Sequence, residues 1–211
     1  ENVLIKPDEM SLNINSFELR TPLIGIPNAY NVAAAYQCGL SLGIDQRTIK
    51  KGLEALKNVP GRFESIDCGQ PFSVIVDFAH SPDSLQKLIE TYRPLTEGEI
   101  ILVFGCPGDR DKEKRPIMGK IAVELADKVI VTTDDPHGED AEKIVKDIVS
   151  SLPSPVTSLL DRKKAIEKAL KMAKKGDTVL IAGRGHEKFQ DVNGKKVALD
   201  DREVVRRILT S

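Results

Sequence analysis

Four short apolar segments of the chain each run directly into a loop that is rich in charged residues and glycine. The first loop carries Asp77 and His80, the second Arg110, the third Asp135 and the fourth Glu187. A guanidinium group is well shaped to bind a carboxylate or a phosphate with two hydrogen bonds, and paired carboxylates can bind an ammonium group. The loops therefore carry the residue types needed to hold a small charged molecule.

The second loop has the sequence Gly105-Cys-Pro-Gly108-Asp109-Arg110-Asp111. Glycine has no Cβ and lets the backbone come close to a ligand. Arg110 can then grip a carboxylate or phosphate at that place. The alternative is that an Arg–Asp pair merely makes this loop rigid.

The third loop contains two adjacent acids, Asp134 and Asp135, followed by Pro136 and His137. Pro136 disfavours a helical conformation for the residue before it and stiffens the loop. The two acids can bind an ammonium group. They can equally belong to the turn that leads into the helix predicted from residue 140, because acids are favoured near a helix N-terminus.

The fourth loop, residues 183–187, contains an arginine, a histidine and a glutamate. These residue types are rarely buried without a partner, so the pattern indicates a functional loop rather than part of the core. The three histidines of the chain, His80, His137 and His186, all follow predicted strands and have acids nearby. A divalent metal centre is therefore a rival interpretation.

A pair of amides, Asn28 and Asn31, lies three residues apart on one face of a predicted helix. An amide offers both a donor and an acceptor, as recognition of a base edge such as that of adenine requires. The alternative assigns Asn28 to the helix N-cap and Asn31 to a buried polar contact.

The order of elements around these residues predicts an α/β fold. Residues 1–26 have the alternation of short strands, and helices are expected from Asn28 to Leu42 and from Asp45 to Leu56. A turn cluster, Asn58-Val-Pro-Gly61, is the predicted domain boundary. After it comes a hairpin over 62–77. The expected helices then cover 81–93, 112–126, 140–150, 162–175 and 201–209, the strands 99–104, 128–132, 155–159 and 177–182, and a second hairpin 189–198. Strands that alternate with helices build a parallel sheet, whose strand-end loops gather at one edge.

The composition excludes several classes of protein. The chain has 211 residues and a net charge of −1, from 31 basic and 32 acidic residues, which argues against a dedicated nucleic-acid binder. No apolar run is long enough to span a membrane, and the N-terminus has no signal-peptide pattern. Cys38, Cys68 and Cys106 have no metal-site spacing and are expected to be buried or half-buried thiols in a reducing, cytoplasmic compartment. A nucleophilic Cys106 is conceivable, but no activating base adjoins it in sequence.

Six motifs in one order resemble the Mur ligases, and most closely the MurE type, which adds the third residue to UDP-N-acetylmuramoyl-L-Ala-D-Glu. The resemblance covers nearly the whole chain. Each motif is weak alone, but six in the same order with sensible spacing are specific. They are Gly25-x-Pro-Asn28-x-x-Asn31-x-Ala-Ala, Val59-Pro-Gly-Arg62-Phe-Glu64, Val76-Asp77-Phe-Ala-His80-Ser-Pro-Asp83, Phe104-Gly-Cys-x-Gly-Asp109-Arg110-Asp111-x-x-Lys114-Arg115-Pro116, Asp134-Asp135-Pro136, and Ala182-Gly-Arg-Gly-His186-Glu187.

The resemblance implies a C-terminal fragment of a three-domain ligase, since the sequence contains no G-x-x-G-K-[ST] phosphate loop. Residues 1–58 would be the end of the central ATPase domain. Residues 59–211 would be the Rossmann-like C-terminal domain, a mostly parallel sheet flanked by helices. The site residues implied for the nucleotide are Asn28, Asn31, Arg62, Asp77 and His80. Those implied for the incoming amino acid are Arg110, Asp135, His137, Gly183 and Glu187.

The reaction implied is amide formation at a carboxylate activated by ATP. The implied partners are ATP, Mg2+ held mainly by upstream residues, the UDP-MurNAc-dipeptide and an amino acid, and the protein is expected to be a cytoplasmic monomer that binds neither nucleic acid nor membrane. The fragment alone is expected to be inactive, and to act at most as a non-catalytic small-molecule-binding module.

One loop departs from the pattern of relatives that add meso-diaminopimelate, which typically have Asp-Asn-Pro-Arg. Here Asp135 stands in place of the Asn, and His137 stands in place of the Arg that binds the second carboxylate. An additional acid favours a cationic side-chain end, so the sequence favours L-lysine and leaves meso-diaminopimelate possible. A paralogue that uses another amine also remains open.

Overall fold

The chain divides into two compact units, Glu1–Val59 and Pro60–Ser211, within the predicted turn cluster. A computed structural model describes residues 2–6, 9–14, 17–150 and 152–211. None of the helices in these ranges combines the length and apolar character that a bilayer crossing requires.

The first unit is a three-stranded antiparallel sheet followed by two helices. Its elements are β1 (Val3–Ile5), β2 (Met10–Ile14), β3 (Phe17–Thr21), α1 (Ile26–Ser41) and α2 (Gln46–Ala55). The predicted cap of α2 is confirmed, because Asp45 accepts hydrogen bonds from two backbone N–H groups of its first turn. The core of this unit consists of Met10, Leu12, Leu19, Leu23, Ala29 and Val32.

The second unit alternates strands and helices as the sequence predicts. Its elements are β4 (Glu64–Ser65), β5 (Ser73–Asp77), α3 (Pro82–Tyr92), β6 (Ile100–Phe104), α4 (Lys114–Leu125), β7 (Lys128–Thr132), α5 (Ala141–Val149), β8 (Thr157–Leu159), α6 (Arg162–Met172), β9 (Thr178–Ala182), β10 (Phe189–Val192), β11 (Lys195–Ala198) and α7 (Asp201–Leu209).

The main sheet has the strand order β4-β5-β9-β6-β7-β8. Strand β4 is antiparallel to its neighbour, and the strands from β5 to β8 in this order are parallel. Strands β6 and β9 are buried along their whole length, as expected for parallel strands in the middle of an α/β sheet. The mixed α/β fold with a mostly parallel sheet flanked by helices is therefore confirmed.

The strand order decides where the charged loops meet. Because β9 is inserted between β5 and β6, the four loops that follow β5, β9, β6 and β7 leave the sheet from adjacent strands at one edge. The register places Asp77 beside Ala182 and Val103 beside Ile181. Residues that are far apart in sequence are thereby brought to the edge where ligands bind in sheets of this kind.

Candidate functional site

Three of the four charged loops are in direct contact at this edge. The N–H of Gly108, after β6, donates to the carbonyl oxygen of Asp135, after β7, at 2.8 Å. A Cβ on Gly105 would collide with the carbonyl oxygen of Thr132, so only glycine permits this approach. The loops after β6 and β7 therefore form one surface, and the loop after β9 adjoins it.

Three acids from two of these loops form one cluster. Carboxylate oxygens of Asp134, Asp135 and Glu187 all lie within 4.8 Å of one another. The Oδ1 atom of Asp134 accepts a hydrogen bond from the N–H of Asp135 at 2.7 Å. Its Oδ2 atom is buried and has no hydrogen-bond partner among the described residues. An unsatisfied buried carboxylate oxygen is costly, and a ligand ammonium group is one way to satisfy it.

Gly183 makes room for this carboxylate. A Cβ at this position would collide with Asp134 Oδ2, and the φ of Gly183 is +116°, where residues with a side chain are strained. The glycine predicted at the site is thus required both by its backbone conformation and by the neighbouring acid.

Arg184 is the main cation of the cluster. Its side chain is fully buried, forms an ion pair with Asp135 and lies 3.6 Å from Glu187 Oε2. Its guanidinium also donates to the carbonyl oxygen of Phe189 at 2.6 Å. The prediction that this loop is not part of the core was wrong for Arg184, because Asp135 supplies the partner that a buried guanidinium needs.

The electrostatic environment raises the pKa of two of the acids. Burial raises the pKa of Asp134 above its ordinary value, although Arg162 and Arg184 favour its charged form. Burial and the neighbouring Asp135 raise the pKa of Glu187. Both pKa shifts arise mainly from burial, which disfavours the charged form, and a cationic group placed among these carboxylates would favour that form.

Arg110 extends from the same edge but is not tied to it. It is exposed, and no hydrogen bond or ion pair joins its side chain to another residue that the structure describes. The neighbouring Asp109 instead accepts a hydrogen bond from the N–H of Gly138 at 3.0 Å. The alternative that an Arg110–Asp pair makes the loop rigid is therefore wrong, and the guanidinium is available to a ligand.

The arginine that does make this loop rigid is Arg115, at the start of α4. Its side chain is fully buried and forms a two-pronged ion pair with Glu139, at 2.9 and 2.7 Å. Glu139 also accepts a hydrogen bond from the N–H of Asp109 at 3.2 Å, and Arg115 donates to Asp147 at 2.8 Å. The pair therefore links the loop after β6 to the segment that precedes α5.

The third loop leads into α5, but Asp134 and Asp135 do not cap this helix. The N-cap of α5 is Asp140, whose side chain accepts from the N–H of Glu142. The side chains of Asp134 and Asp135 instead contact the N–H of Asp135 and the guanidinium of Arg184. His137 follows them with a φ of +50°, and its Nδ1 lies 3.4 Å from Asp191 Oδ2 in the β10–β11 hairpin.

The loop after β5 differs from the acid cluster, because both carboxylate oxygens of its buried acid have hydrogen-bond partners. Asp77 is buried, and its two carboxylate oxygens accept from the N–H groups of Phe63 and Ala79, at 2.7 and 2.8 Å. Burial raises its pKa. Arg62 is exposed and lies with its guanidinium carbon 4.6 Å from the centre of the Phe78 ring.

His80 is exposed as well, and its Nδ1 is 2.9 Å from the carbonyl oxygen of Phe78. Neither it nor the other two histidines belongs to the acid cluster, which contains only carboxylates. Within the described ranges, no observation supports the histidine-based metal centre.

The two amides of the first unit are linked to each other. Asn28 is buried inside α1 and donates to the carbonyl oxygen of Ile24 at 2.8 Å, while its Oδ1 accepts from the Nδ2 of the exposed Asn31 at 3.4 Å. The N-cap of the helix is Gly25, so the N-cap interpretation of Asn28 was wrong. Asn31 remains accessible to a ligand.

The cysteines differ in exposure. Cys106 is buried and Cys68 half-buried, as predicted, but Cys38 is exposed. Burial raises the pKa of Cys106 to about 12, so its thiol stays protonated and is a poor nucleophile.

Sequence reasoning missed the residues that organise the site. Besides Arg115 and Arg184, the buried Arg162 pairs with Asp201 at 2.7 Å and donates to the carbonyl oxygen of Ala182 at 2.9 Å. No local pattern distinguishes these arginines from exposed ones. Local sequence signals marked only one of these ion pairs. Its two partners, Asp135 and Arg184, lie in the adjacent acids Asp134-Asp135 and in the Gly183-Arg-Gly185 pattern.

Comparisons with known proteins identify relatives of the chain. A family model described as "Mur ligase, glutamate ligase domain" matches residues 61–185. A UDP-N-acetylmuramoyl-L-alanyl-D-glutamate–2,6-diaminopimelate ligase of Bacillus licheniformis is 44% identical over 214 residues, which cover 99% of this chain and 44% of the relative. A ligase of the same name from Trichormus variabilis is 47% identical over 195 residues, 90% of this chain and 39% of the relative.

Solved structures agree with this relationship. A structure of a ligase of the same name superposes with a TM-score of 0.72 at 32% identity, over 99% of this chain and 44% of the other. A UDP-N-acetylmuramate–alanine ligase of Thermotoga maritima has a TM-score of 0.68 at 23% identity over 100% of this chain and 44% of the other, which shows a shared fold. The chain spans less than half of the length of the relatives that it matches.

Proposed function

The chain belongs to the Mur ligase family, and from this we propose that it presents the incoming amino acid in an ATP-dependent amide ligase of peptidoglycan precursor synthesis. The acceptor would be UDP-N-acetylmuramoyl-L-Ala-D-Glu, which the names of the relatives specify. Because those relatives are more than twice as long as the aligned part, the complete activity would need the full-length ligase, and the chain alone would be inactive.

The observation that carries the proposal is the pairing of one free guanidinium with a cluster of acids at one sheet edge. Arg110 would grip the carboxylate of the amino acid with two hydrogen bonds. Asp134, Asp135 and Glu187 would hold the ammonium group at the other end, where Asp134 Oδ2 lacks a partner among the described residues. Gly183 would allow the ligand to come close to the backbone.

The chemistry requires this kind of positioning. A free carboxylate is a poor electrophile, so ATP transfers its γ-phosphoryl group to the carboxylate and leaves as ADP. The α-amine then attacks the acyl phosphate carbon, the new C–N bond forms, phosphate leaves and the amine gives up a proton. An amine fixed at both ends of its molecule reaches the acyl carbon at a set distance and angle, which accounts for much of the rate enhancement in such reactions.

The residues that we propose for the nucleotide differ in how accessible their side chains are to a ligand. Arg62 is exposed, has no ion pair within the described part of the chain and suits a phosphate, while Asn31 is accessible and suits a base edge. Asn28 would act by holding Asn31. Asp77 would lie at the ribose of the nucleotide with His80 close by, and its hydrogen bonds to the backbone would fix the turn that carries both residues. The ligands of Mg2+ would lie mainly in the remaining part of the ligase.

The amino acid that the site suits best is L-lysine, with meso-diaminopimelate as the alternative. Both have a distal ammonium group, but meso-diaminopimelate carries a second carboxylate. The names of the relatives favour meso-diaminopimelate. The charges of this chain favour lysine, since Asp135 adds an acid where a carboxylate would have to bind. A paralogue with another diamine would use the same features.

A non-catalytic module that binds a small charged molecule is the second candidate function, and a histidine metalloprotein is the least favoured. We further propose a cytoplasmic monomer. A ligation assay separates these possibilities: the full-length ligase should release ADP over many turnovers only when the muramoyl dipeptide, ATP and an amino acid are all present. Continuous ADP release without an amino acid, or no amide product with any diamine, would contradict the ligase proposal.

A further inference from the structure

The hairpin β10–β11 is docked on the loop that carries the two acids, residues 133–137. The N–H of Asp191 donates to Asp135 Oδ1 at 3.2 Å, and the N–H of His137 donates to the carbonyl oxygen of Asp191 at 3.1 Å. The N–H of Asn193 donates to the carbonyl oxygen of His137 at 2.6 Å. These bonds make the loop and the hairpin one structural piece.

The side chain of Asp191 is directed at His137. Its Oδ1 accepts from the N–H of Gly194 at 2.9 Å, which fixes the orientation of the carboxylate. Its Oδ2 then lies 3.4 Å from Nδ1 of His137, and both side chains are about one-third exposed. His137 has a φ of +50°, an unusual conformation for a residue with a side chain, and the hairpin bonds hold it there. The imidazole is therefore turned toward Asp191 before any ligand arrives.

This arrangement changes the charge that a ligand would meet. Asp134, Asp135 and Glu187 already form an acid cluster in which Arg184 is the paired cation. The backbone N–H of Asp191 donates to Asp135 Oδ1, while the carboxylate of Asp191 lies beside His137 and is not part of the three-acid cluster. Its Oδ2 lies 3.4 Å from Nδ1 of His137, so a ligand carboxylate that approached this ring nitrogen would meet the negative charge of Asp191.

We propose that Asp191 is a specificity-determining residue, which selects an amino acid whose side chain ends in an ammonium group alone over one that carries a second carboxylate there. The inference rests on the proposed ligase function and deepens it. A ligand carboxylate beside His137 would face the negative charge of Asp191, whereas an ammonium group at the same place would be attracted by it. Discrimination then comes from repulsion of the wrong substrate as well as attraction of the right one.

The test is the Asp191→Asn substitution in the full-length ligase. The amide oxygen of the new side chain still accepts from the N–H of Gly194, so the hairpin keeps its bonds while the charge is removed. We expect the ratio of kcat/KM for L-lysine to kcat/KM for meso-diaminopimelate to fall about tenfold, which equals about 1.4 kcal/mol. Adding His137→Arg should lower this ratio further, because a guanidinium binds a carboxylate with two bonds.

The matched control is Asp67→Asn. Asp67 also accepts from the N–H of a turn glycine, Gly69, at 2.8 Å, but it is exposed and makes no described contact with the 133–137 loop. Its substitution should leave the substrate ratio unchanged. A thermal unfolding curve verifies that Asp191→Asn is folded.

The outcomes separate the specificity role of Asp191 from the ligase function. If the wild-type ligase is active and Asp191→Asn leaves its substrate ratio unchanged, the specificity role is overturned and the ligase function stands. A parallel loss of kcat/KM for both amino acids would also overturn the specificity role, because it indicates a purely structural one. A wild-type ligase that joins neither amino acid to the dipeptide overturns the proposed function and, with it, this inference.

Discussion

The ion pair between Arg115 and Glu139 provides the sharpest test of how the site is held together. Glu139→Ala removes the carboxylate that accepts two hydrogen bonds from the buried guanidinium, at 2.9 and 2.7 Å, and one from the N–H of Asp109. The side chain of Arg115 is fully buried and that of Glu139 is 9% exposed. After the substitution, Arg115 retains Asp147, whose side chain is 34% exposed.

The expected cost follows from the burial of the remaining charge. Removing one partner of a buried ion pair costs about 3–5 kcal/mol, and the presence of Asp147 places this case at the lower end, at about 3 kcal/mol. For a domain of this size, that loss lowers the melting temperature by roughly 6–12 °C. The measurement is thermal unfolding of the chain followed by far-UV circular dichroism.

The control is Glu167→Ala on α6. Glu167 pairs with Lys171 one turn away, and both side chains are largely exposed, so its loss should cost less than about 0.5 kcal/mol. Equal shifts in melting temperature for Glu139→Ala and Glu167→Ala would refute the structural role of the buried pair.

The stability that the Arg115–Glu139 ion pair contributes should change with pH in a definite direction. Hydrogen bonding to Arg115 holds the pKa of Glu139 well below its usual range. Its carboxylate therefore stabilises the folded state above the ordinary pKa of glutamate, about 4.3, and this contribution is lost as the pH falls below that value. The difference in free energy of unfolding between the wild type and Glu139→Ala should have its largest value at neutral pH and decrease in acid. A difference that grows on acidification would contradict this assignment.

Two further predictions concern the glycine of the site and the cysteines. Gly183→Ala should raise KM for the amino acid in the full-length ligase and destabilise the second unit by about 1–3 kcal/mol in thermal unfolding, because of the positive φ and the clash with Asp134 Oδ2. In contrast, Gly52→Ala in α2, where an added methyl group would meet no described atom within 4 Å, should be neutral or stabilising by up to about 1 kcal/mol. A thiol-reactive disulfide reagent at mildly alkaline pH should modify Cys38 in the folded chain and Cys106 only after unfolding, because burial raises the pKa of Cys106 to about 12. Rapid reaction of Cys106 in the folded state would be contrary to its burial.

Local sequence signals predicted most of the fold because each strand and helix is marked by its own residues. The apolar run of β6 and the Ser81-Pro82 start of α3 are such signals, and Ser81 indeed caps the helix. The prediction that the strand-end loops share one edge followed from alternation of strands and helices alone. It needed no knowledge of the strand order.

The supporting ion pairs of the site could not be predicted in the same way. Arg115 meets Glu139 across 24 residues and Arg184 meets Asp135 across 49. Which arginine is buried depends on the three-dimensional path of the chain. Arg110 and Arg115 stand in one motif, yet the second lies in α4 and turns inward while the first stays in the loop.

The most direct test of the central claim is the effect of Arg110→Ala on the kinetics of the full-length ligase. If Arg110 grips the amino acid, loss of a charged hydrogen-bonding partner worth about 1.5–3 kcal/mol should raise KM for the amino acid by roughly 10- to 100-fold. KM for ATP should change by less than about twofold, since uniform binding of the nucleotide is not affected. An equal increase of both KM values would contradict the proposed amino-acid site.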